Sequence, residues 1–251
     1  YYAMLKAFTE QDPDGNGKND TYGVAAAGFI GSEAPYTNYL PQFWQNAYPN
    51  FTYDENSLDK DMKKYDIVLA SPVNVGKSIF NFWEESLVNE DIHIFYQYMV
   101  ARFPDLKVQI DNFFIRGYEY SPCNMFVCDK KLFDEFASWQ FSILFDLEKL
   151  IKLSSYSRPR RILGYLAEGL LPFYASLNHL KIKFYPLVDF PNGKIILNNK
   201  SYGQIFRNRI RNYMASKNTY TMPDDIKVSL NNAGVFDKIK LLVEKYNVSD
   251  F

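Results

Sequence analysis

Several short stretches of the chain hold residue types at spacings that could do chemistry. The run Asp12-Pro13-Asp14-Gly15-Asn16-Gly17-Lys18-Asn19-Asp20 sets oxygen donors at loop positions one, three, five and nine, with Gly17 at position six for the sharp turn. Side chains of Asp12, Asp14, Asn16 and Asp20, with the Lys18 carbonyl, suit a hard cation such as calcium. An acidic residue at position twelve is missing, because Gly23 stands there, and a polar turn without metal is the competing reading. Val75-Gly76-Lys77-Ser78 follows an apolar strand as a phosphate-cradling loop would. Ser71 replaces the first glycine of that motif, however, and Pro72 removes an amide the phosphate would need, so a plain strand-to-helix loop is the expectation. Asp59-Lys60-Asp61 has the D-x-D spacing that can hold a diphosphate through a divalent cation, but it precedes its strand and reads as a solvated helix end. Arg207, Arg209 and Arg211 are interleaved with Ile205, Phe206, Ile210 and Tyr213. That pattern allows contact with a membrane surface or an acidic partner as well as an ordinary surface helix.

The remaining reactive types point to little chemistry. Cys123 and Cys128 do not make a disulfide framework, and if the stretch between them is extended their side chains leave opposite faces. Free buried thiols suit a reducing compartment, and a cytoplasmic, membrane-peripheral location is the expectation. His93 and His179 are far apart in sequence, and neither has a second ligand at metal spacing.

The elements that must position these groups can be read from periodicity. Tyr65 to Ala70 is a β-branched apolar run, a buried strand. Asn89 caps a helix through Phe103 with Ile92, Phe95 and Met99 on one stripe, and Pro104 stops it. Asn124 to Val127 reads as a second strand. Asp129 caps a helix from Lys130 to Leu153 whose Phe133, Phe136, Ala137, Leu144, Leu147 and Ile151 share a face, with Glu148 on the solvent side. A third helix runs from Arg160 to about Asn178, although Gly169 weakens it and Pro172 should kink it. Lys181 to Tyr185 alternates as a strand and Ile195 to Leu197 as a shorter one, followed by helices over Tyr202 to Met214 and Phe236 to Tyr246. Strands alternating with helices give an α/β fold, a small sheet packed by helices behind an irregular N-terminal segment.

Composition excludes some classes. With 251 residues, 47% hydrophobic and 18% aromatic, the chain can bury one large core or two modest ones. Its net charge of -1 supplies no general attraction to nucleic acid. No apolar run reaches the roughly 18 residues of a membrane span. The chain opens on Tyr1-Tyr2 without an initiator Met or a signal-like segment, which reads as a fragment or a processed product.

Two family resemblances sharpen this. The string CNMFVCDKKLFDEFASWQFSILFDLEK, then RRILGYLAEGLL and KIKFYPLV, resembles the C-terminal half of the DUF4422 glycosyltransferase-like family of bacterial polysaccharide-synthesis loci. Asn124, Met125, Phe126, Trp139, Leu144, Phe145, Glu148, Arg161, Gly164 and Glu168 fall on the family pattern, and with Lys63 to Leu69 as first strand the likeness runs over residues 59–190. It implies a fold related to nucleotide-sugar transferases, a nucleotide-sugar donor and a glycan acceptor. It also implies Glu168 as the catalytic base, Arg161 as the partner of the leaving diphosphate and Asn124 as a substrate-binding residue. Residues 1–55, with the Asp12 to Asp20 loop, resemble an interior piece of a family 1 extracellular solute-binding protein whose members often carry calcium loops, with a junction near Asn56. A calcium-binding fragment of such a carbohydrate-transport protein is thus the alternative function. Residues 191–251 resemble neither family and form a third segment of unassigned role.

In the DUF4422 likeness the segment before the first strand normally carries an H-Y-R-R-x-F stretch, which this sequence lacks, and Gly169 replaces an arginine. Losing one electrostatic partner of a leaving group commonly costs roughly 10²–10³ in rate. The expected outcome is that turnover of UDP-glucose, UDP-galactose and UDP-galactofuranose, followed by UDP release, matches a Glu168→Ala control. Robust turnover abolished by Glu168→Ala would overturn this.

Overall fold

In the computed structural model, the described residues are 60–122, 124–152, 161–185 and 202–247. The Asp12 to Asp20 loop, the junction near Asn56, Cys123 and the strand expected at Ile195 lie outside them. The fold is mostly helical around a small mixed sheet. Strand β1 (Ile67–Ala70) is buried along its whole length and forms the centre of a three-stranded sheet. It pairs antiparallel with β4 (Phe126–Cys128), Leu69 opposite Phe126, and parallel with β5 (Ile182–Tyr185), Ile67 opposite Ile182. A second, two-stranded sheet joins β2 (Val73–Asn74) to β3 (Glu119–Tyr120).

The helices follow as α1 (Ile79–Ser86), α2 (Asn89–Arg102), a short α3 (Lys107–Ile110) continuing into a π turn over Asp111–Ile115, α4 (Lys130–Leu150), α5 (Ile162–Leu177), α6 (Tyr202–Ala215), α7 (Asp224–Asn232) and α8 (Val235–Asn247). Alternation along β1 sends Ile67 and Leu69 to one face, where they pack with Phe126, Cys128, Phe136 of α4, and Leu171 and Ala175 of α5. The larger core is helical, built on Ile92, Phe95 and Met99 of α2 against Trp83, Phe114, Leu147 and Leu170.

Several expectations can be set against the structure here. Asn124 does not start a strand: its φ of 43 is left-handed, and β4 begins two residues later. Asn89 is the first helical residue of α2 rather than its cap, which is Val88 without a side-chain hydrogen bond. Pro172 neither ends nor divides α5, which runs from Ile162 to Leu177 with the ring buried. Gly169 is not a vacated arginine position, because a Cβ there would lie 2.4 Å from Trp83 Cη2, so only glycine lets α1 and α5 approach this closely.

The two histidines have structural work. His179, φ 51, takes the left-handed position just past α5, where its amide reaches the Ser176 carbonyl and that of Leu180 reaches Ala175. His93 is fully buried, its Nδ1 2.9 Å from the Tyr220 hydroxyl and its Nε2 3.1 Å from Glu84 Oε1, outside hydrogen-bonding geometry. Burial lowers its pKa, against the pull of Glu90 and Asp225. Burial likewise pushes the Cys128 thiol up to about 12, with Asp129 adding to it, so this sulfur is a core group rather than a nucleophile.

Asp146 of α4 is 1% exposed. Tyr98 of α2 and Tyr246 of α8 each donate to its Oδ2 at 2.8 Å, while Lys245 reaches Oδ1 at 2.6 Å and Lys149 at 3.2 Å. Burial alone would raise its pKa, but the bonds from Lys245, Tyr98, Tyr246 and Lys149 hold the carboxyl down at about 2. That lies below the unfolded carboxylate value of about 3.9, so the stabilisation is present above that pH and is lost as pH falls through the folded value. Urea melts between about pH 5 and pH 2 are expected to lose about 2 kcal/mol to this group, and Asp146→Asn should remove that part of the pH dependence.

Candidate functional site at the carboxyl edge of the sheet

The carboxyl ends of parallel strands in an open α/β sheet are where such folds hold ligands. Here that edge is the end of β1 beyond Ala70 and of β5 at Tyr185, joined by the Ser71 amide donating to the Tyr185 carbonyl at 2.7 Å. Helix α5 is linked by residues 178–181 to the start of β5, so its N-terminal half rises toward this edge. Arg161, Gly164, Glu168, Leu171 and Ala175 follow one another at steps of three and four and share a face of the helix. The lower two are buried against the sheet. Arg161 and Gly164 are exposed and Glu168 is half-buried; nothing lies within 4 Å of where a Cβ on Gly164 would sit. The Arg161 guanidinium lies 5.6 Å from the Tyr165 ring centre. A cation and a carboxylate two turns apart thus flank an exposed glycine on one face of α5.

Asn124 reaches the same edge from the other side. Because β4 is antiparallel to β1 with Leu69 opposite Phe126, Asn124 falls at the level of Ser71. Its left-handed backbone and buried Oδ1 without a hydrogen-bond partner mark it out. Conformational strain and orphaned buried acceptors concentrate where ligands bind. By register Asn124 lies at the level of Ser71, and Arg161 and Glu168 share the α5 face whose lower part, Leu171 and Ala175, packs on the sheet.

Sequence reasoning missed that Asp61 belongs to this neighbourhood. The Tyr185 hydroxyl donates to Asp61 Oδ2 and Lys183 Nζ lies 3.9 Å from it, so Asp61 is engaged by β5 rather than solvated. The alternation of Lys183 and Tyr185 on one strand face was the available signal. The glycine-lysine-serine loop is also occupied: Gly76 donates to Asn74 Oδ1 at 2.9 Å, Lys77 pairs with Glu85, and Ser78 caps α1. Among the described residues no group of three or more His, Cys, Asp or Glu side chains is placed to hold a metal ion. A separate hollow of about 400 Å³, lined by Tyr96, Gln97, Lys107, Asp111, Arg116 and Tyr220, has its charges spent, Lys107 on Asp111 at 2.6 Å and Arg116 on Asn112 at 2.8 Å.

Fold and site together define a helix-rich α/β protein with a polar strip above the carboxyl edge of a small mixed sheet. Residues 28–179 match the family described as Domain of unknown function (DUF4422), and the chain belongs to that family. The match starts within the segment that sequence reading gave to the solute-binding likeness and contains Asn124, Arg161 and Glu168. The chain is also similar to Lipoprotein LipO of Bacillus subtilis (strain 168), 31% identical over 96 residues, which are 38% of this chain and 18% of that protein. A solved structure, the WbbM bifunctional glycosyltransferase in its apo form, resembles it with a TM-score of 0.48 and 26% identity, over 51% of this chain and 24% of that one.

If the Asn124 strain serves a ligand rather than the fold, glycine should relieve it. Asn124→Gly is expected to stabilise the protein by about 1 kcal/mol, since it removes both the left-handed cost and an unpaired buried acceptor, as read by thermal melts. A clear loss of stability would make Asn124 a structural residue.

Proposed function

We propose that this chain is a glycosyltransferase-like protein of surface-glycan synthesis that holds a nucleotide-sugar donor at the carboxyl edge of β1 and β5. One observation carries the reading: an asparagine with a left-handed backbone and an unpaired buried Oδ1, at the level of Ser71 where β1 ends. Hexosyl transfer breaks the bond between the sugar and the diphosphate and forms one to an acceptor oxygen, whose proton must leave. Glu168 is the carboxylate assigned to take that proton. Arg161 offers the planar donor pair that suits the charge growing on a leaving diphosphate. Asn124, with a free acceptor and an amide donor, is fitted to a sugar hydroxyl or the nucleotide.

Binding is the appropriate readout, because weak transfer is the expectation. Calorimetric titration with UDP-hexoses is expected to show binding that Arg161→Gln weakens about tenfold and that Asn124→Gly also weakens. Glu168→Gln should leave binding largely intact, as a base acts after the donor is seated. No heat with any UDP-sugar, or equal binding by all three variants, sinks the proposal. A calcium titration run alongside, with Asp12→Asn and Asp14→Asn as controls, tests the N-terminal loop as an independent binding site.

A further inference from the structure

An ordinary surface helix turns its apolar face inward, and α6 does the reverse. Its buried side is Ala215, 3% exposed, with Asn212, whose Oδ1 accepts from Asn74 Nδ2 at 2.9 Å. Arg211 lies on the same side, its Nη1 3.3 Å from the position of a Cβ on Gly76. The outward side carries Phe206, Ile210 and Tyr213 at steps of four and three, with Met214 beside them. Phe206 is 64% exposed, Tyr213 66% and Met214 65%. Such a contiguous apolar stripe marks an interaction site.

The charge around the stripe says what covers it. Arg207 and Arg209 flank it on either side of the helix, and Lys217 stands over the Tyr213 ring with its Nζ 5.3 Å from the centre. From residue 202 to 223 there is no Asp or Glu, although the whole chain carries a net charge of -1. Aromatic and aliphatic side chains between cations are the pattern of a helix that lies in a bilayer interface, its apolar stripe among the upper acyl chains and its arginines at anionic headgroups. No described helix is long and apolar enough to cross a membrane, so the contact is one of lying on the surface.

We infer that α6 docks the protein onto an anionic lipid surface, with Phe206, Ile210, Tyr213 and Met214 inserted and Arg207, Arg209 and Lys217 on the headgroups. This goes beyond the donor site and does not depend on it. Sedimentation of the full chain with phosphatidylcholine vesicles, with and without phosphatidylglycerol, tests it directly. The expected result is binding to the anionic vesicles alone, weakened by salt, and lost in Phe206→Ser with Ile210→Ser. Arg207→Gln with Arg209→Gln should weaken binding roughly thirtyfold, about fivefold per arginine. Since all four side chains are exposed, unchanged thermal melts of both variants show that folding is not what was lost. Binding that ignores phosphatidylglycerol or survives the serine pair overturns the inference. So does a dimer by light scattering that the serine pair converts to monomer, which would give the stripe to a second copy of the chain.

Discussion

A carboxylate taken out of water must be repaid by partners, and in this protein the arrangement of helices depends on one that is. Asp146 sits near the C-terminal end of α4 with four donors closing on it from α2, α4 and α8. Removing a single partner leaves a buried charge under-satisfied, a cost of several kcal/mol, while removing the whole set at once is far less damaging. The cluster therefore acts less as glue than as a key: α8 has one position and one rotation in which both Lys245 and Tyr246 reach the same carboxyl. Arg102 extends the set, donating to the Tyr98 hydroxyl at 2.7 Å and lying 3.8 Å from the Tyr246 ring centre.

A second constraint sets the height of α5. Gly169 lets the Trp83 indole press on the helix backbone, and Gln140 of α4 donates to the Ala167 carbonyl at 3.0 Å from another direction. Both contacts lie within two residues of Glu168. The carboxylate above the sheet edge is thus held by packing on the opposite face of its own helix. The absence of a side chain at Gly169, which looks like a missing functional group when the sequence is read alone, is what fixes the neighbouring one in place.

Much of this was legible in the sequence where the signal is local. The β-branched run at Ile67 has one sensible reading, and the apolar steps of α4 and α5 could belong only to helices. Asp129 was legible as a cap because its partner, the Leu132 amide, is three residues away. Asp146 was not, since three of its four partners lie 48, 99 and 100 residues off and only Lys149 is local. Asn124 was recognised as a position worth naming but assigned to a strand, because its apolar successors dominate any window and a single left-handed residue leaves no periodic trace. Pro172 shows that the proline rule does not set the boundary: α5 runs on past it with the ring buried. The placing of Asn124 at the level of Ser71 needed the register of β4 on β1, which no local pattern specifies.

The parallel pairing of β1 with β5 has a consequence for how the chain is made. Ile67 finds Ile182 across 115 residues. Pairings of such high sequence separation form late and slowly, because the loop must close before any contact rewards it. During synthesis the helical core around α2 can assemble while β1, apolar on both faces, still waits for β5 to leave the ribosome. For that interval β1 is an unpaired hydrophobic edge, the feature that recruits strands from other chains. Yield of soluble protein should therefore hinge on events near residue 182 rather than on the stability of the finished fold, and shortening the chain before β5 would expose the strand permanently.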